Sequence, residues 1–412
     1  MLSLDSFYKI ISKNLLEPIE CEGHFFKVFG SKNPLDLDCI WDQTHGIDSH
    51  KCLVFYDQEP IYKDEVQKIY HLPQPVGQNE SWDMLYCIHT SVHESAKINY
   101  FSNKFYIFAN SEISDEKNKI LKDYFLLDWY YFFHGFAALD WYNNIQYLPH
   151  IKTYTKLFIT FNNLINGNRN YRLVFLAQLI ENNLQDLGHI SLNQVDTTKK
   201  IKIELSDKKY LSAASKKLIY KNLLPTPPKF IIDHKFTTGK LSANDELDTL
   251  SLGLFHIVTE TIFYENKLHL TEKIFKPIVA RRPFLLLAAA GNLKYLKKYG
   301  FLTFDKWIDE SYDDEIDPDK RILKVVGEIK RLSNLSKTEL DKLYEEMQPT
   351  LEHNFKWFYK DFKKIIITEL VDNFEILLKK YNLNKSKFSP DYLDYSVLNF
   401  EDIKKRLTLT CN

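Results

Sequence analysis

Apolar residues fall in short runs separated by polar stretches of helical period, and this alternation is the first guide to the fold. In the front third, positions 24–29, 51–56, 83–88, 105–109 and 129–133 read as strands. Residues 1–18, MLSLDSFYKIISKNLLEP, read as an amphipathic helix, and 114–125 has a helical pattern. Alternation of this kind argues for an α/β fold with a mostly parallel sheet. A second series begins with a strand at 156–161 that ends in the polar loop NNLINGN. A helix over 169–184 follows, with an apolar stripe at Leu173, Leu176, Ile180 and Leu184. Next come a strand at 254–263, a helix at 271–281, a strand at 283–287 and a helix at 292–299 stopped by Gly300. Asp317-Pro318 reads as an N-cap with proline in the first helical position. Ser336-x-x-Glu339 reads as a capping box, and the chain after Pro349 reads as helical almost to Tyr381. The pattern changes over 148–155, which gives two domains, 1–150 and 151–412, the second carrying the terminal helices.

The length of 412 residues agrees with two domains, each large enough to bury a core. Glycine sharpens the functional reading: there are 12, and no two stand as G-x-G. The dinucleotide fingerprint and the P-loop are absent, as are G-x-S-x-G, H-E-x-x-H and C-x-x-C. Any ligand is therefore expected to be held by side chains. Charge adds an asymmetry beneath a formal net of −1. Residues 1–150 hold 12 lysines, no arginine and 21 acids, a net of −9, and the remainder carries +8. An anionic ligand belongs on the back half by this count, although two solvated surfaces of opposite sign would produce it as well. Five unclustered cysteines (21, 39, 52, 87 and 411) fit reduced thiols, not a disulfide framework. No leader or membrane-length apolar run is evident, so a soluble, cytoplasmic protein is expected.

The chemistry concentrates in 255–287, FHIVTETIFYENKLHLTEKIFKPIVARRPFLLL, where a buried strand runs into a polar loop and a helix opens at Thr271-Glu272-Lys273. Thr271 suits the N-cap and Glu272 suits the positive helix end. Lys273 does not, because a cation in the first turn opposes the helix dipole. An anion bound there would reverse the penalty. Arg169 and Arg172 pose the same problem, spaced i, i+3 in the first turn of the other helix. Singly, each cation reads as a surface residue. Together, at two helix starts that follow strands, they read as one diphosphate pocket in which guanidinium groups fork onto phosphate oxygens.

These residues resemble a known family. Thr259-Glu260-Thr261 followed by Leu270-Thr271-Glu272-Lys273-Ile274 is similar to the donor-binding core of GT-B glycosyltransferases, whose fucosyltransferase-like branch carries an F-E-N-S…T-E-K-I run. TEKIFKPIVARRPF, GFLTFDKWIDESYD, YDQEP (56–60), FFHGFAALDWY (132–142) and FNNLINGNRNYR resemble glycosyltransferases of tailed phages and bacterial surface-polysaccharide loci. The resemblance touches both halves of the chain. It departs at Phe263-Tyr264-Glu265-Asn266, where acid and asparagine are displaced, and this leaves the roles of Glu260 and Glu265 open. It implies an α/β, GT-B fold of two Rossmann-like domains facing a cleft, with the nucleotide-sugar on the second. Lys273, Arg169 and Arg172 would then meet the diphosphate, with Glu260 and Thr271 in the same donor site. Glu272 would accept hydrogen bonds from ribose or sugar. The nucleotide-sugar is a co-substrate, UDP-linked ahead of GDP-linked, and no resident cofactor is implied. In a phage-encoded protein the compartment would be the host cytoplasm.

Sugar transfer with inversion needs a base on the acceptor hydroxyl. Asp57 and Glu59, after the strand LVFY, are the first candidates, and His134 and Asp140 are their rivals. Asp57 also suits a turn before Pro60, and Asp140 a helix cap. Two D-x-D pairs, Asp36/Asp38 and Asp317/Asp319, raise a metal-dependent alternative. Helix capping accounts for the second pair and the first does not end an apolar strand, so no metal site is expected. The phage-type resemblance puts a hydroxymethylated base, hydroxymethylcytosine in DNA, first as acceptor, and a surface or capsular glycan second. The acidic front half weighs against DNA, whereas the aromatic run 129–142 offers rings to stack on a base or a sugar. A non-catalytic nucleotide-sugar-binding module is the rival from another class.

Overall fold

The structure, a computed structural model, describes residues 4–19, 22–25, 51–55, 60–62, 105–123, 126–192, 197–224, 247–383 and 396–410. The chain forms two compact units, residues 1–140 with 363–412, and residues 141–362. The second unit is therefore inserted into the first. This division differs from the expected split into 1–150 and 151–412, because the terminal helices pack on the first unit's sheet.

That first sheet contains β1 (Glu22–Phe25), β2 (Lys51–Phe55), β3 (Phe105–Asn110) and β4 (Leu126–Tyr130), all parallel and in the order β1-β2-β3-β4. Helix α1 (Leu4–Ile11) precedes it, α2 (Asp115–Asp123) joins β3 to β4, and α3 (Phe133–Trp141) follows β4. The fourth strand starts and ends three residues earlier than its apolar run implied. Asp128 is tolerated on it because Asn110 donates to Asp128 at 2.7 Å and Lys117 pairs with it at 2.7 Å. Phe133 instead opens α3. The aromatic run is core: Trp129, Tyr131, Phe132, Phe133 and Tyr142 are all buried. Phe7 of α1 stacks on Phe136 at 4.2 Å. The Trp129 indole lies 4.6 Å from Phe374 and donates to the Leu370 carbonyl at 3.0 Å. The predicted strand at 83–88 and Cys21, Cys39, Cys87 and Cys411 lie outside the described residues.

In the second unit β5 (Lys156–Thr160), β6 (Gly188–Ile190), β7 (Gly253–Thr259) and β8 (Phe284–Leu287) are parallel in the order β6-β5-β7-β8. Every residue of β7, a central strand, is buried, as expected for a strand covered on both faces, and so is every residue of β8 at the end of the described order. Helix α4 (Tyr171–Glu181) joins β5 to β6, and α5 (Thr197–Ser206) and α6 (Ala213–Leu223) come before β7. Strand β6 escaped the sequence reading. It has three residues, and Gly188 leaves room for the Phe158 ring, which would lie 2.1 Å from a Cβ there.

Between β7 and β8 a 3-10 turn, Glu272–Ile274, leads into α7 (Phe275–Val279). Helix α8 (Asn292–Lys298) follows β8 and ends before Gly300 (φ +86°), as expected. Helix α9 (Pro318–Ser333) starts from the Asp317 cap, and α10 (Lys337–Trp357) from the Ser336/Glu339 capping box, both as read from the sequence. A π-helical turn at Phe358–Phe362 interrupts the long helical stretch where the chain leaves the second unit. Helices α11 (Lys363–Leu383) and α12 (Phe400–Thr410) belong to the first. Among the described residues no helix is long and apolar enough to cross a membrane.

Candidate functional site

Strand order locates the site. In an open parallel sheet, ligands bind beyond the carboxyl ends of strands where the order reverses. The second unit reverses between β5 and β7, since β6 lies on one side of β5 and β7 on the other.

A floor of buried polar side chains closes those strand ends. The Asn162 Nδ2 donates to Thr160 Oγ1 and to the Ser191 carbonyl, each at 3.3 Å, and its backbone N–H donates to Ser191 Oγ at 3.0 Å. The Thr259 hydroxyl faces the Phe161 carbonyl at 3.0 Å and Asn162 Oδ1 at 3.2 Å. The ends of β5, β6 and β7 are tied by side chains of which the sequence reading singled out Thr259, as part of a motif, and assigned no role to Thr160, Asn162 or Ser191. The available signal was a polar residue at each strand end, at positions 160, 162, 191 and 259.

Above this floor, five of the six expected donor residues form one connected network. Glu260 is fully buried, and its carboxylate accepts the Thr271 N–H at 3.2 Å, the Thr271 hydroxyl at 2.5 Å and the Thr261 N–H at 3.3 Å. Thr271 is the N-cap that its sequence position implied. The Lys273 ammonium reaches Thr271 Oγ1 at 3.0 Å, Glu272 Oε1 at 3.1 Å and Thr261 Oγ1 at 3.4 Å. The expected dipole penalty on Lys273 therefore has an internal counter-charge in Glu272. Lys273 keeps 25% of its side chain exposed, enough to meet a ligand.

Arg172 is 3% exposed and bonds only carbonyl oxygens: Leu164 at 2.7 Å, Thr259 at 2.8 Å and Glu260 at 3.2 Å. Its Nε has no hydrogen-bond partner, and among the described residues no carboxylate pairs with it. Arg169 lies in the 3-10 turn Gly167–Arg169 ahead of α4, and its charge acts on Tyr171. That helix starts two residues later than expected because Asn170 is committed elsewhere. Its amide donates to Glu204 at 3.2 Å and Asp207 at 2.9 Å. Burial, with Asp207 nearby, raises the Glu204 pKa despite the donors from Asn170 and Gly167. Burial likewise pushes Tyr171 up to about 12, and its hydroxyl donates to the Glu260 carbonyl at 2.7 Å.

The candidate bases belong to the first unit. Asp57 and Glu59 lie outside the described residues. His134 is 4% exposed in the first turn of α3, with its ring edge-on to Phe133 at 5.3 Å. Asp140 is half-buried near the end of the same helix, not at its N-cap. The sequence reading passed over Glu112, fully buried just beyond β3. It accepts the Ile61 N–H at 2.7 Å and the Ser114 hydroxyl at 2.5 Å. An acid directly after an apolar strand was the signal. Asp36 and Asp38 lie outside the described residues. Asp317 caps α9, and Asp319 accepts hydrogen bonds from Ser212 and Ser215, each at 2.7 Å.

An open groove of about 590 Å³ lies elsewhere in the second unit, lined by Gln146, His353, Lys356, Trp357, Tyr359 and Lys360 among others. The polar tips of His353, Trp357 and Tyr359 already face backbone carbonyls. The strand-end network lies where the strand order reverses, and the groove, whose charges are Lys356, Lys360 and Asp361, does not. Searched against family models, curated proteins and solved structures, the chain matches none, so the reading of this site rests on its own chemistry and on the resemblance of its motifs.

Proposed function

We propose that the reversal between β5 and β7 binds the diphosphate of a nucleotide-sugar, and that the protein is a GT-B glycosyltransferase moving the sugar to an acceptor hydroxyl. The observation that carries this reading is Lys273, a partly exposed cation held by Thr271 and Glu272 at the strand ends where the order reverses. Behind it lies the buried Arg172 guanidinium, hydrogen-bonded to carbonyls, set against the Tyr171 ring at 5.8 Å, and paired with no carboxylate among the described residues. Charges in such surroundings are ordinarily paired. Lys273 and Arg172 thus set two cations at one strand end. A bound diphosphate would neutralise both, and the leaving group in sugar transfer is such an anion. The fold supports the reading at the level of two parallel α/β sheets, one of them reversing at the site.

A hydroxymethylated base such as hydroxymethylcytosine is the preferred acceptor, on the phage-type resemblance, with a surface or capsular glycan next. Asp57, Glu59, His134 and Asp140 remain the proposed bases. The test offers UDP-, GDP- and CMP-sugars with hydroxymethylcytosine-containing DNA, and separately with simple glycans, and follows mass. An adduct of one sugar on either acceptor is the expected result. Donor binding without hydrolysis or adduct, unchanged by alanine at all four bases, would identify a binding module instead. Absence of donor binding would overturn the proposal.

A further inference from the structure

Residues 197–224 hold eight lysines and two acids, a net of +6 within α5, α6 and the turn that joins them. The two signs are sorted. Both acids face the protein. Glu204 accepts the Gly167 N–H at 3.0 Å and the Asn170 amide at 3.2 Å. Asp207 accepts the same amide at 2.9 Å and the Lys209 N–H at 2.7 Å. These bonds fasten the α5–α6 hairpin to the loop that follows β5. The lysines face out. Exposed positions on α5 include Lys199, Lys202, Ile203 and Ser206, and on α6 Lys217, Tyr220 and Lys221, each set spaced along one helical face. Lys208 and Lys209 are exposed in the turn.

Other helices treat their cations differently. In α9, α10, α11 and α12 a cation pairs with an acid three or four positions away: Arg331 with Glu328, Lys337 with Asp341, Lys379 with Glu375 and Arg406 with Asp402. Such pairs stabilise a helix, and like charges at the same spacing destabilise it. On α5 the neighbour of Lys199 at that spacing is Lys202, and on α6 the neighbour of Lys217 is Lys221. Glu204 stands four positions from Lys200 but is turned inward. Neither helix has an acid in its first turn, where one would suit the dipole. Among the described residues Lys221 alone of the eight lysines is in an ion pair, with Glu181 at 2.7 Å. This face repels itself, and an anionic partner with repeated charges relieves the repulsion.

A neutral glycan offers no such charge. A membrane surface asks for a continuous apolar face. Here Ile203 and Tyr220 stand out, one on each helix, while Ile201, Ile219 and Leu223 are fully buried. A nucleic-acid backbone fits better: its phosphates are neutralised by lysines with release of counterions, and an aromatic ring among the lysines suits a base.

We propose that the outward faces of α5, α6 and their turn form a docking surface for the phosphate backbone of a nucleic acid. The surface stands without the diphosphate site. Where the diphosphate reading above also holds, on which this further step rests, it puts a nucleic acid ahead of a glycan as acceptor.

The test titrates a fluorescent duplex DNA with three full-length proteins whose fold is checked by circular dichroism. They are the wild type, the hairpin variant Lys199→Gln/Lys202→Gln/Lys208→Gln/Lys217→Gln, and the control Lys306→Gln/Lys330→Gln/Lys342→Gln/Lys356→Gln, which removes equal charge from exposed positions elsewhere in the second unit. Wild type and control are expected to bind, more weakly as salt rises. The hairpin variant should lose about tenfold or more at fixed salt, and its slope of log affinity against log salt should fall by about 0.9 for each lysine that meets a phosphate. UDP, followed by calorimetry, should bind all three alike. No DNA binding to the wild type, equal binding by wild type and hairpin variant, or an equal loss in the control would overturn the surface. Anionic phospholipid vesicles or hyaluronate binding the wild type where DNA does not would overturn it in favour of a membrane or an acidic glycan. The expected DNA result without UDP binding to any of the three would overturn the diphosphate reading and leave the surface standing. Should the fourfold hairpin variant not fold, Lys199→Gln/Lys202→Gln is read by the same criteria.

Discussion

The two sheets are built alike and differ in order. Each has four described strands, all parallel, but the first runs β1-β2-β3-β4 and the second β6-β5-β7-β8. Among its described strands the first never reverses. The second reverses once, and there a buried guanidinium, a buried glutamate, a capping threonine and a tethered lysine converge. Similar strands therefore give different chemistry because a reversal opens a crevice that successive neighbours would close.

Charge separates the regions in a second way. Residues 1–150 contain no arginine, and three arginines of the second unit are buried as carbonyl clamps. Arg172 is one. Arg282 reaches the carbonyls of Ile151, Thr153 and Ser251, and Arg321 those of Phe263, Ala288, Glu315 and Ile316. The positive count of the back half is thus partly interior, and it overstates what a polyanion would meet at the surface.

The largest expected effect comes from removing a clamp. Arg282→Met leaves several buried carbonyls without a donor and should cost about 3–5 kcal/mol, read from denaturant unfolding. Arg406→Met, in the first unit, removes a 63% exposed side chain and should change stability by less than about 0.5 kcal/mol. Equal effects would show that the buried arginines do not distinguish the units.

Acid should come next. Burial lowers His256 to about 3, and burial with Arg281 and Arg282 lowers His150 to about 4. Both rings are neutral when folded and take up a proton near the ordinary 6.5 once unfolded. The unfolded state therefore binds more protons between pH 6.5 and about 4, and stability falls as pH drops through that window. The slope should be roughly 1–2 kcal/mol per pH unit for each ring. Unfolding midpoints of His256→Gln against pH should show a shallower slope than wild type, and parallel curves would contradict the assignment.

A smaller effect is expected at the network itself. Thr271→Val removes an N-cap and one donor to Glu260, and should cost about 1–2 kcal/mol in the same unfolding measurement. A neutral result would mean that Glu260 is held without Thr271.

Much of this was legible in the sequence, for reasons that particular residues make plain. Thr271, Asp317, Ser336 and Glu339 act locally, so their capping roles could be read within four positions. The alternation of strands and helices gave the α/β class. What stayed hidden depends on partners distant along the chain. Trp129 meets Leu370 across 241 positions, which is why the terminal helices were grouped with the wrong sheet. Arg172 meets Thr259 across 87, so its burial among carbonyls could not be read from its place at the helix start. Lys273 was read as needing an anion, and the carboxylate of its neighbour Glu272 is one. Strand order, which locates the site, is not written in any single segment.

One titration tests the diphosphate site most directly. UDP added by calorimetry to wild type, Lys273→Ala and Lys122→Ala compares the reversed sheet with an exposed lysine of the first unit. Saturable binding to wild type and Lys122→Ala with equal affinity is expected, with a loss of about 1.5–3 kcal/mol in Lys273→Ala. Equal affinity of all three, or no binding to any, would contradict a diphosphate site between β5 and β7.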